Sequence, residues 1–395
     1  MSSLSSPDPG DARRGVALLG AAGSIGGQAV EVLAAHPELF HVVALATRSN
    51  GALLQEQAER LSAEVALLAP SEADLVDVAT RDDVDLVVVA TGGIVSLRPV
   101  VAALQAGKVV ATANKETLVA GGHLVMPEAR RSAAAVGEQR PDDAYASPLA
   151  WLRPIDSEHS ALWQCLVGES MATVDALILT ASGGPFLDVA RDQLALVTAD
   201  EALKHPTWSM GAKITIDSAT LANKGLEVVE AHWLYDVAYA SIEVVIHPQS
   251  VVHSAVRFVD GSLKAQLGTP DMRLPIQYAL TYPMRQPSPS AAVDLVTAGR
   301  LDFRAPDETR FPALRIAREA GLTGQRATTA LIAADEVAVS RFLDGTLGFA
   351  DIPQLLEAAV TRHGATGDQS PDLDELIALD AEVRAAFAAG PVGAV

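Results

Sequence analysis

Short apolar runs alternate with longer amphipathic stretches through the first part of the chain, residues 15–134. The runs are almost entirely apolar, which is typical of parallel strands buried on both faces of a sheet. Alternation of such strands with helices predicts a doubly wound, Rossmann-like α/β domain. The predicted strands are Val16–Gly20, Val42–Ala46, Val65–Ala69, Leu86–Thr91 and Val109–Ala113.

The pattern changes after residue 155. Two helical stretches, at about 219–234 and 271–282, now interrupt runs of strand composition, and Asp260-Gly261 is a hairpin turn signal between the last two runs. This order predicts a central α+β domain. The predicted strands are Asp175–Ser182, Ile242–His247, Val251–Val259 and Ser262–Leu267.

The last part of the chain is rich in Ala, Leu and Glu at helical spacing, for example in Ala327–Leu343 and Ile352–His363, which predicts a small helical bundle. Residues 137–150 are non-periodic and indicate an inserted loop. The predicted organisation is a disordered tail at 1–14, the doubly wound domain at 15–154, the α+β domain at 155–283, a Pro-rich connector at 284–307 and the helical bundle at 308–395.

Composition and charge exclude some classes of function. The 395 residues suffice for two or three domains, and a net charge of −20 disfavours binding to nucleic acid or to an anionic membrane surface. Cys165 is the only cysteine, which excludes an internal disulfide and a thiolate zinc cluster. The sequence has neither an apolar signal segment nor a run of about 18 apolar residues, so we expect a cytoplasmic location.

A glycine-rich turn follows the first predicted strand and precedes a helix at Ile25–Ala35. Its glycines, Gly20, Gly23 and Gly26, allow the backbone to approach a pyrophosphate, and the helix N-terminus offers free N–H groups. The turn predicts nucleotide binding. A tight strand-to-helix turn that binds nothing remains the alternative.

The end of the second strand bears on the choice of nucleotide. NAD-binding folds carry an acidic residue there, whereas this chain has Arg48, Ser49 and Asn50. A guanidinium and hydroxyl groups suit the 2′-phosphate of NADP. The sequence therefore favours NADP over NAD, unless Arg48 is an ordinary exposed arginine.

Three carboxylates are candidate ligands for a metal ion. Asp156 and Glu158 would project to one side of an extended segment, although Asp-Ser-Glu is also typical of a helix start. Glu227 shares a predicted helical face with Asn223, and its alternative role is a surface ion pair with Lys224. All-oxygen ligands favour Mg²⁺ or Mn²⁺ over Zn²⁺.

Polar residues near these carboxylates in the sequence indicate an anion site and a mobile loop. Ser182 ends a predicted strand beside two glycines, although a simple strand-ending turn is the alternative there, and Ser218 is the predicted N-cap of the helix that carries Lys224. The loop around His205 and Trp208 contains large side chains that are unfavourable to expose to water. This favours a lid formed by residues 201–212. A loop fixed to the core by Trp208 is the alternative.

Seven segments in order resemble the 1-deoxy-D-xylulose 5-phosphate reductoisomerase family. The resemblance extends from Gly20 to about Asp351 and implies a homodimer with an NADPH domain, a catalytic and dimerisation domain, and a C-terminal helical domain. The segments are GAAGSIG (20–26), ANKET (113–117), IDSEH (155–159), ASGGPF (181–186), HPTWSMG (205–211), IDSATLANKGLE (216–227) and IHPQSVVHS (246–254).

The resemblance also implies roles for individual residues. The implied metal ligands, for Mg²⁺, Mn²⁺ or Co²⁺, are Asp156, Glu158 and Glu227, which with Lys115 and His205 form the catalytic set. The implied substrate contacts are Lys115, Ser157, Glu158, Ser182, His205, Trp208, Ser218, Asn223, Lys224 and Glu227. The implied NADPH contacts are Ala22, Gly23, Ser24, Ile25, Asn114, Glu116 and Gly211, together with Arg48, Ser49 and Asn50.

The implied activity is the rearrangement and reduction of 1-deoxy-D-xylulose 5-phosphate to 2-C-methyl-D-erythritol 4-phosphate. The chain departs from the family at Ala21-Ala22, which replaces Ser-Thr, and at Arg48-Ser49, which replaces Gly-Lys. The alternatives are an ordinary NADP-dependent dehydrogenase, which needs no metal-binding carboxylates, and a non-catalytic NADPH-sensing protein.

Overall fold

The computed structural model describes residues 13–364 and 370–390, which fall into two compact units. Within the described residues, the first unit comprises 13–117, 124–163 and 271–291, and the second comprises the rest. This division follows contacts and differs from the predicted functional domains, because residues 271–283 pack with the first unit and the helical bundle with the second. The assignment of functions to domains stays a prediction.

The described residues form ten strands and fifteen α-helices. The strands are β1 Arg14–Leu19, β2 Phe40–Thr47, β3 Val65–Leu68, β4 Leu86–Val89, β5 Val109–Thr112, β6 Leu152–Pro154, β7 Val174–Ala181, β8 Ile242–Ile246, β9 Val252–Phe258 and β10 Leu263–Leu267. The helices are α1 Ser24–Ala35, α2 Gly51–Leu61, α3 Glu72–Ala79, α4 Leu97–Gln105, α5 Lys115–Gly137, α6 Ser157–Leu166, α7 Ala199–Ala202, α8 Ala212–Thr220, α9 Ala222–Tyr235, α10 Arg273–Thr281, α11 Leu295–Ala298, α12 Ala313–Thr323, α13 Gln325–Leu343, α14 Ile352–Gly364 and α15 Leu373–Phe387.

The first unit is built on a six-stranded parallel sheet in the order β3-β2-β1-β4-β5-β6. The order reverses direction at β1 and β4, as in doubly wound folds, so the predicted α/β class is confirmed. The side chains of Val16–Leu19 in β1 and of all four residues of β4 are fully buried because helices cover both faces of the sheet. The loop predicted at 137–150 contains two short 3-10 turns and leads into β6, a strand not predicted from the sequence.

The second unit contains a four-stranded mixed sheet in the order β10-β9-β7-β8, with β7 and β8 parallel and the other pairs antiparallel. The predicted hairpin joins β9 to β10, with Gly261 at φ +84° and the Asp260 carboxylate accepting from the Ser262 N–H. The predicted helices of the last part are present as α12 to α15. Helix α9 lies close to α12, since a Cβ on Gly225 would lie 2.5 Å from that of Ala317.

Two local predictions were wrong. Ser218 is not an N-cap but lies inside α8; α9 begins after Leu221, which adopts the left-handed conformation at φ 61°. The tail predicted at 1–14 ends earlier than expected because Arg14 opens β1 and donates to the carbonyl of Leu280. Residues 1–12 of that tail lie outside the described residues.

The connector predicted at 284–307 contains one short helix, α11. Among the residues that the structure describes, no helix combines the length and the apolar character needed to cross a membrane.

Candidate active site

The glycine-rich turn adopts the geometry expected of a phosphate-binding turn. Gly20 has φ +95°, and a Cβ there would lie 2.4 Å from the carbonyl of Ala90. A Cβ on Gly26 would lie 2.1 Å from the Gly20 carbonyl, so both positions require glycine for close packing. Gly23 is the N-cap of α1 and no side chain caps this helix, which leaves its N-terminus accessible to an anion. Ala22, Ser24 and Ile25 flank it and are partly or fully exposed.

The residues after β2 are exposed, and one of them also caps the next helix. Arg48 and Ser49 are solvent-exposed, as a contact with a bound phosphate requires. Asn50 adopts the left-handed conformation at φ 65° and caps α2 by accepting from the N–H of Leu53 at 3.2 Å. The side-chain oxygen of Asn50 is therefore used within the fold.

Asn114 has a structural role at the start of α5. Its side-chain oxygen accepts from the N–H of Thr117 at 2.7 Å, and its amide donates to the carbonyls of Gly93 at 2.8 Å and Thr91 at 3.0 Å. These bonds join the ends of β4 and β5 at the edge where doubly wound sheets bind ligands. Glu116 is buried in the first turn of the same helix.

Asp156 forms a buried ion pair with Lys115. The two side chains are only 9% and 7% exposed. Asp156 also accepts from the N–H groups of Glu158 at 3.0 Å and His159 at 3.2 Å, so the segment is a helix start and not an extended strand. Ser157 donates to the Glu158 carboxylate at 2.7 Å. The start of α6 thus presents two carboxylates and a hydroxyl.

Glu227 is completely buried in α9. It accepts from the side-chain amide of Asn223 at 2.6 Å and pairs with Lys224, which is also buried. The ion pair that the sequence allowed at the surface is therefore present, but in the interior. Burial of a carboxylate is costly unless cations or N–H donors surround it, so this cluster is specifically built.

His205 lies between the two predicted phosphate-binding serines. Its Nε2 is 2.9 Å from Ser182 Oγ and 3.2 Å from Ser218 Oγ, while its Nδ1 accepts from the N–H groups of Thr207 at 3.1 Å and Trp208 at 2.9 Å. Nδ1 must therefore carry a lone pair and Nε2 the proton. Burial lowers the pKa of His205, which favours this neutral form.

The loop between α7 and α8 contacts the rest of its unit through a few side chains. Trp208 is half-buried, with its ring 5.9 Å from that of His253, and the Thr207 hydroxyl donates to the Pro248 carbonyl at 3.3 Å. Lys204 is exposed at one end of the loop, and the exposed Gly211 is the N-cap of α8 at the other. This loop matches the segment predicted as a lid.

Two side chains near these groups had no predicted role. His253 packs against Trp208, and Asp335 of α13 accepts from Lys213 at 2.6 Å. His253 lies in one of the segments that resemble the family, so the sequence offered a reason to consider it. Asp335 lies in a helical stretch without any recognisable motif, so nothing in the sequence indicated a role for it.

Family models match most of the chain. The 1-deoxy-D-xylulose 5-phosphate reductoisomerase model matches residues 16–74 and 68–122, its C-terminal domain model matches 152–235, and a DXP reductoisomerase C-terminal domain model matches 267–386.

Relatives and solved structures agree with these matches. The chain is 47% identical over 393 residues to a 1-deoxy-D-xylulose 5-phosphate reductoisomerase of Pelotomaculum thermopropionicum, covering 94% of this chain and 97% of the relative. It is 46% identical over 394 residues to that of Geobacillus kaustophilus, covering 94% of this chain and 97% of the relative.

The solved Zymomonas mobilis enzyme in complex with NADPH matches with a TM-score of 0.83 at 35% identity, covering 97% of this chain and 100% of that chain. A reductoisomerase in complex with NADPH, fosmidomycin and magnesium matches with a TM-score of 0.83 at 36% identity, covering 95% of this chain and 97% of that chain. The chain belongs to the 1-deoxy-D-xylulose 5-phosphate reductoisomerase family.

Proposed function

We propose that the chain catalyses the NADPH- and divalent-metal-dependent isomerisation and reduction of 1-deoxy-D-xylulose 5-phosphate to 2-C-methyl-D-erythritol 4-phosphate. The observation that carries the proposal is a pair of buried carboxylate–lysine clusters at positions matching the family, Lys115–Asp156 and Lys224–Glu227. Buried charges of this kind concentrate at functional sites because their desolvation must be compensated.

The donor set fits a divalent cation. Asp156, Glu158 and Glu227 supply only carboxylate oxygens, which suits Mg²⁺ or Mn²⁺. Lys115 and Lys224 lie beside Asp156 and Glu227 and provide positive charge there. We infer that these three carboxylates would hold the cation, and that Lys115 and Lys224 would then be available to the anionic substrate.

The serine cluster fits a phosphate group. Ser182 and Ser218 present hydroxyls on either side of the His205 Nε2–H, and Asn223 and Lys224 add an amide and an ammonium on α9. Such donors bind phosphate without requiring a strongly basic surface. We assign the substrate phosphate to these residues, and substrate contacts to Lys115, Ser157 and Trp208.

The cofactor site is assigned to the turn between β1 and α1 and to the residues after β2. The Gly20–Gly26 turn allows close approach of a pyrophosphate, and exposed Arg48 can pair with a 2′-phosphate. Since the amide of Asn114 is already used within the fold, its contribution there would be to shape the turn. Contacts from Glu116 and Gly211 remain predictions.

When bound, the cation supplies Lewis acidity to the substrate oxygens and NADPH supplies the hydride. The chain itself holds the substrate phosphate, neutralises charge through its two lysines, and closes the loop over the site. Loop closure excludes water, which strengthens these electrostatic contacts and protects a reactive aldehyde. The family's homodimer and the cytoplasmic location expected from the sequence remain predictions for this chain.

The experiment is NADPH oxidation followed at 340 nm as deoxyxylulose phosphate is added, before and after chelation. We expect turnover that stops with chelator and returns with Mg²⁺ or Mn²⁺. Asp156→Asn should lower kcat by orders of magnitude, whereas the surface variant Asp175→Asn should not. An ordinary dehydrogenase would retain activity after chelation, and a sensing protein would bind NADPH without turnover.

A further inference from the structure

Lys213 has no role in the proposed function, yet it forms a charged cluster beside the phosphate site. Its Nζ donates to Asp217 at 2.8 Å and to Asp335 at 2.6 Å. Asp217 lies one turn further along α8, whereas Asp335 lies in α13, 122 residues from Lys213. The ammonium group therefore joins α8 to the helical bundle of the same unit.

The cluster is well suited to fix the position of α8. The side chains of Asp217 and Asp335 are only 3% and 1% exposed, and Lys213 is 31% exposed. A carboxylate buried to this extent is costly when its cation moves away. A shift of α8 along α13 would separate these charges, so the cluster holds α8 in one register.

The position of α8 matters because both of its ends belong to the site. Gly211, its N-cap, ends the loop predicted to be a lid, and Ser218 lies 3.2 Å from His205 near its other end. There is little free space around Ser218, since a Cβ on Gly184 would lie 2.8 Å from the Ser218 carbonyl. A displaced α8 would therefore separate Ser218 from Ser182 and His205.

We propose that Asp335 is a positioning residue for the substrate phosphate. Through Lys213 it holds α8 so that Ser218 stays beside Ser182. This inference rests on the proposed function, because it assumes that Ser218 binds the phosphate. It assigns to the C-terminal helices a part in substrate affinity, although Asp335 makes no contact with the serines.

The test compares Asp335→Asn with Glu336→Gln. Glu336 is the next residue of α13, but it pairs with Arg384 of α15 at 2.8 Å, so this control loses an ion pair without affecting α8. Asp335→Asn should raise the KM for deoxyxylulose phosphate and the inhibition constant of inorganic phosphate about tenfold, as expected when one charge-assisted contact is lost. The kcat and the NADPH affinity should stay within about twofold, because the chemistry is untouched.

Two further results distinguish positioning from general destabilisation. Asp335→Glu, which keeps the carboxylate, should recover part of the lost phosphate affinity. Hydrogen exchange of the α8 amides should accelerate in Asp335→Asn and not in Glu336→Gln. Equal KM values and equal α8 exchange in the two variants would overturn the proposal. If the wild-type protein shows no turnover, the proposed function fails, while exchange of α8 still decides whether Asp335 fixes this helix.

Discussion

His205 performs two tasks with its two ring nitrogens, and two substitutions separate them. The side-chain oxygen of asparagine can occupy the place of Nδ1, whereas the side-chain amide nitrogen of glutamine can occupy the place of Nε2. His205→Asn should therefore keep the acceptor for the N–H groups of Thr207 and Trp208. His205→Gln should keep the donor towards Ser182 and Ser218 but lose that acceptor.

The structure sets the size of the expected difference. Each backbone hydrogen bond to Nδ1 contributes about 1 kcal/mol net, so loss of both destabilises the loop by about 2 kcal/mol. That free energy corresponds to a roughly 30-fold increase in the open population of the loop. In His205→Gln, we expect the amides of Thr207 and Trp208 to exchange about 30-fold faster than in the wild type. In His205→Asn their protection should be nearly unchanged.

The assay is hydrogen exchange of the free protein at neutral pH, resolved at these two amides by NMR. NADPH affinity serves as the control, since all the predicted cofactor contacts except Gly211 lie in the other unit. Equal protection of the two amides in both variants, or lower protection in His205→Asn, would refute the assignment of the Nδ1 lone pair to the loop.

Four further predictions concern pH, the cofactor and the loop. Burial lowers the pKa of His205 below its ordinary value of 6.5, so the loop contacts are fully present above pH 6.5 and are lost as the pH falls through the lowered pKa. Hydrogen exchange of the Thr207 amide, corrected for its intrinsic rate, should therefore become faster on acidification in the wild type but not in His205→Asn. Arg48→Glu should raise the KM for NADPH about tenfold or more while changing that for NADH little, and equal changes would exclude a 2′-phosphate contact. Trp208→Ala should raise the KM for the substrate up to about tenfold, since the ring is only half-buried, and an equal loss of NADPH affinity would contradict the lid. Proteolysis next to Lys204 should be slower with NADPH and a phosphonate substrate mimic than in the free protein.

The sequence predicted the strands of the parallel sheet well because both faces of that sheet are buried. The apolar run that contains Leu86–Val89, for example, begins directly after the polar residue Asp85. β6 escaped prediction because it has three residues, two of which are Arg153 and Pro154. Arg153 is fully buried and donates to the carbonyls of Ala150 and Ala279, a pairing with no local signal.

The candidate site was predictable where chemistry is local in sequence. The glycine turn and the Asn223–Glu227 spacing fall in this class. The junction of α8 and α9 was not predictable, because Leu221 adopts a left-handed conformation that favours glycine. The Lys213–Asp335 pair was also missed, since contacts between distant helices leave no periodic pattern.

The most direct test of the proposed function is the position of the transferred hydride. NADPH labelled with deuterium at the transferred position should be oxidised with deoxyxylulose phosphate and Mg²⁺, and the product examined by ¹³C NMR. If the skeleton is rearranged before reduction, deuterium appears on a primary carbinol carbon next to a quaternary carbon that bears the methyl group. Deuterium on a secondary carbon that still bears the methyl group would show direct reduction of the ketone, and would contradict assignment of this chain as a reductoisomerase.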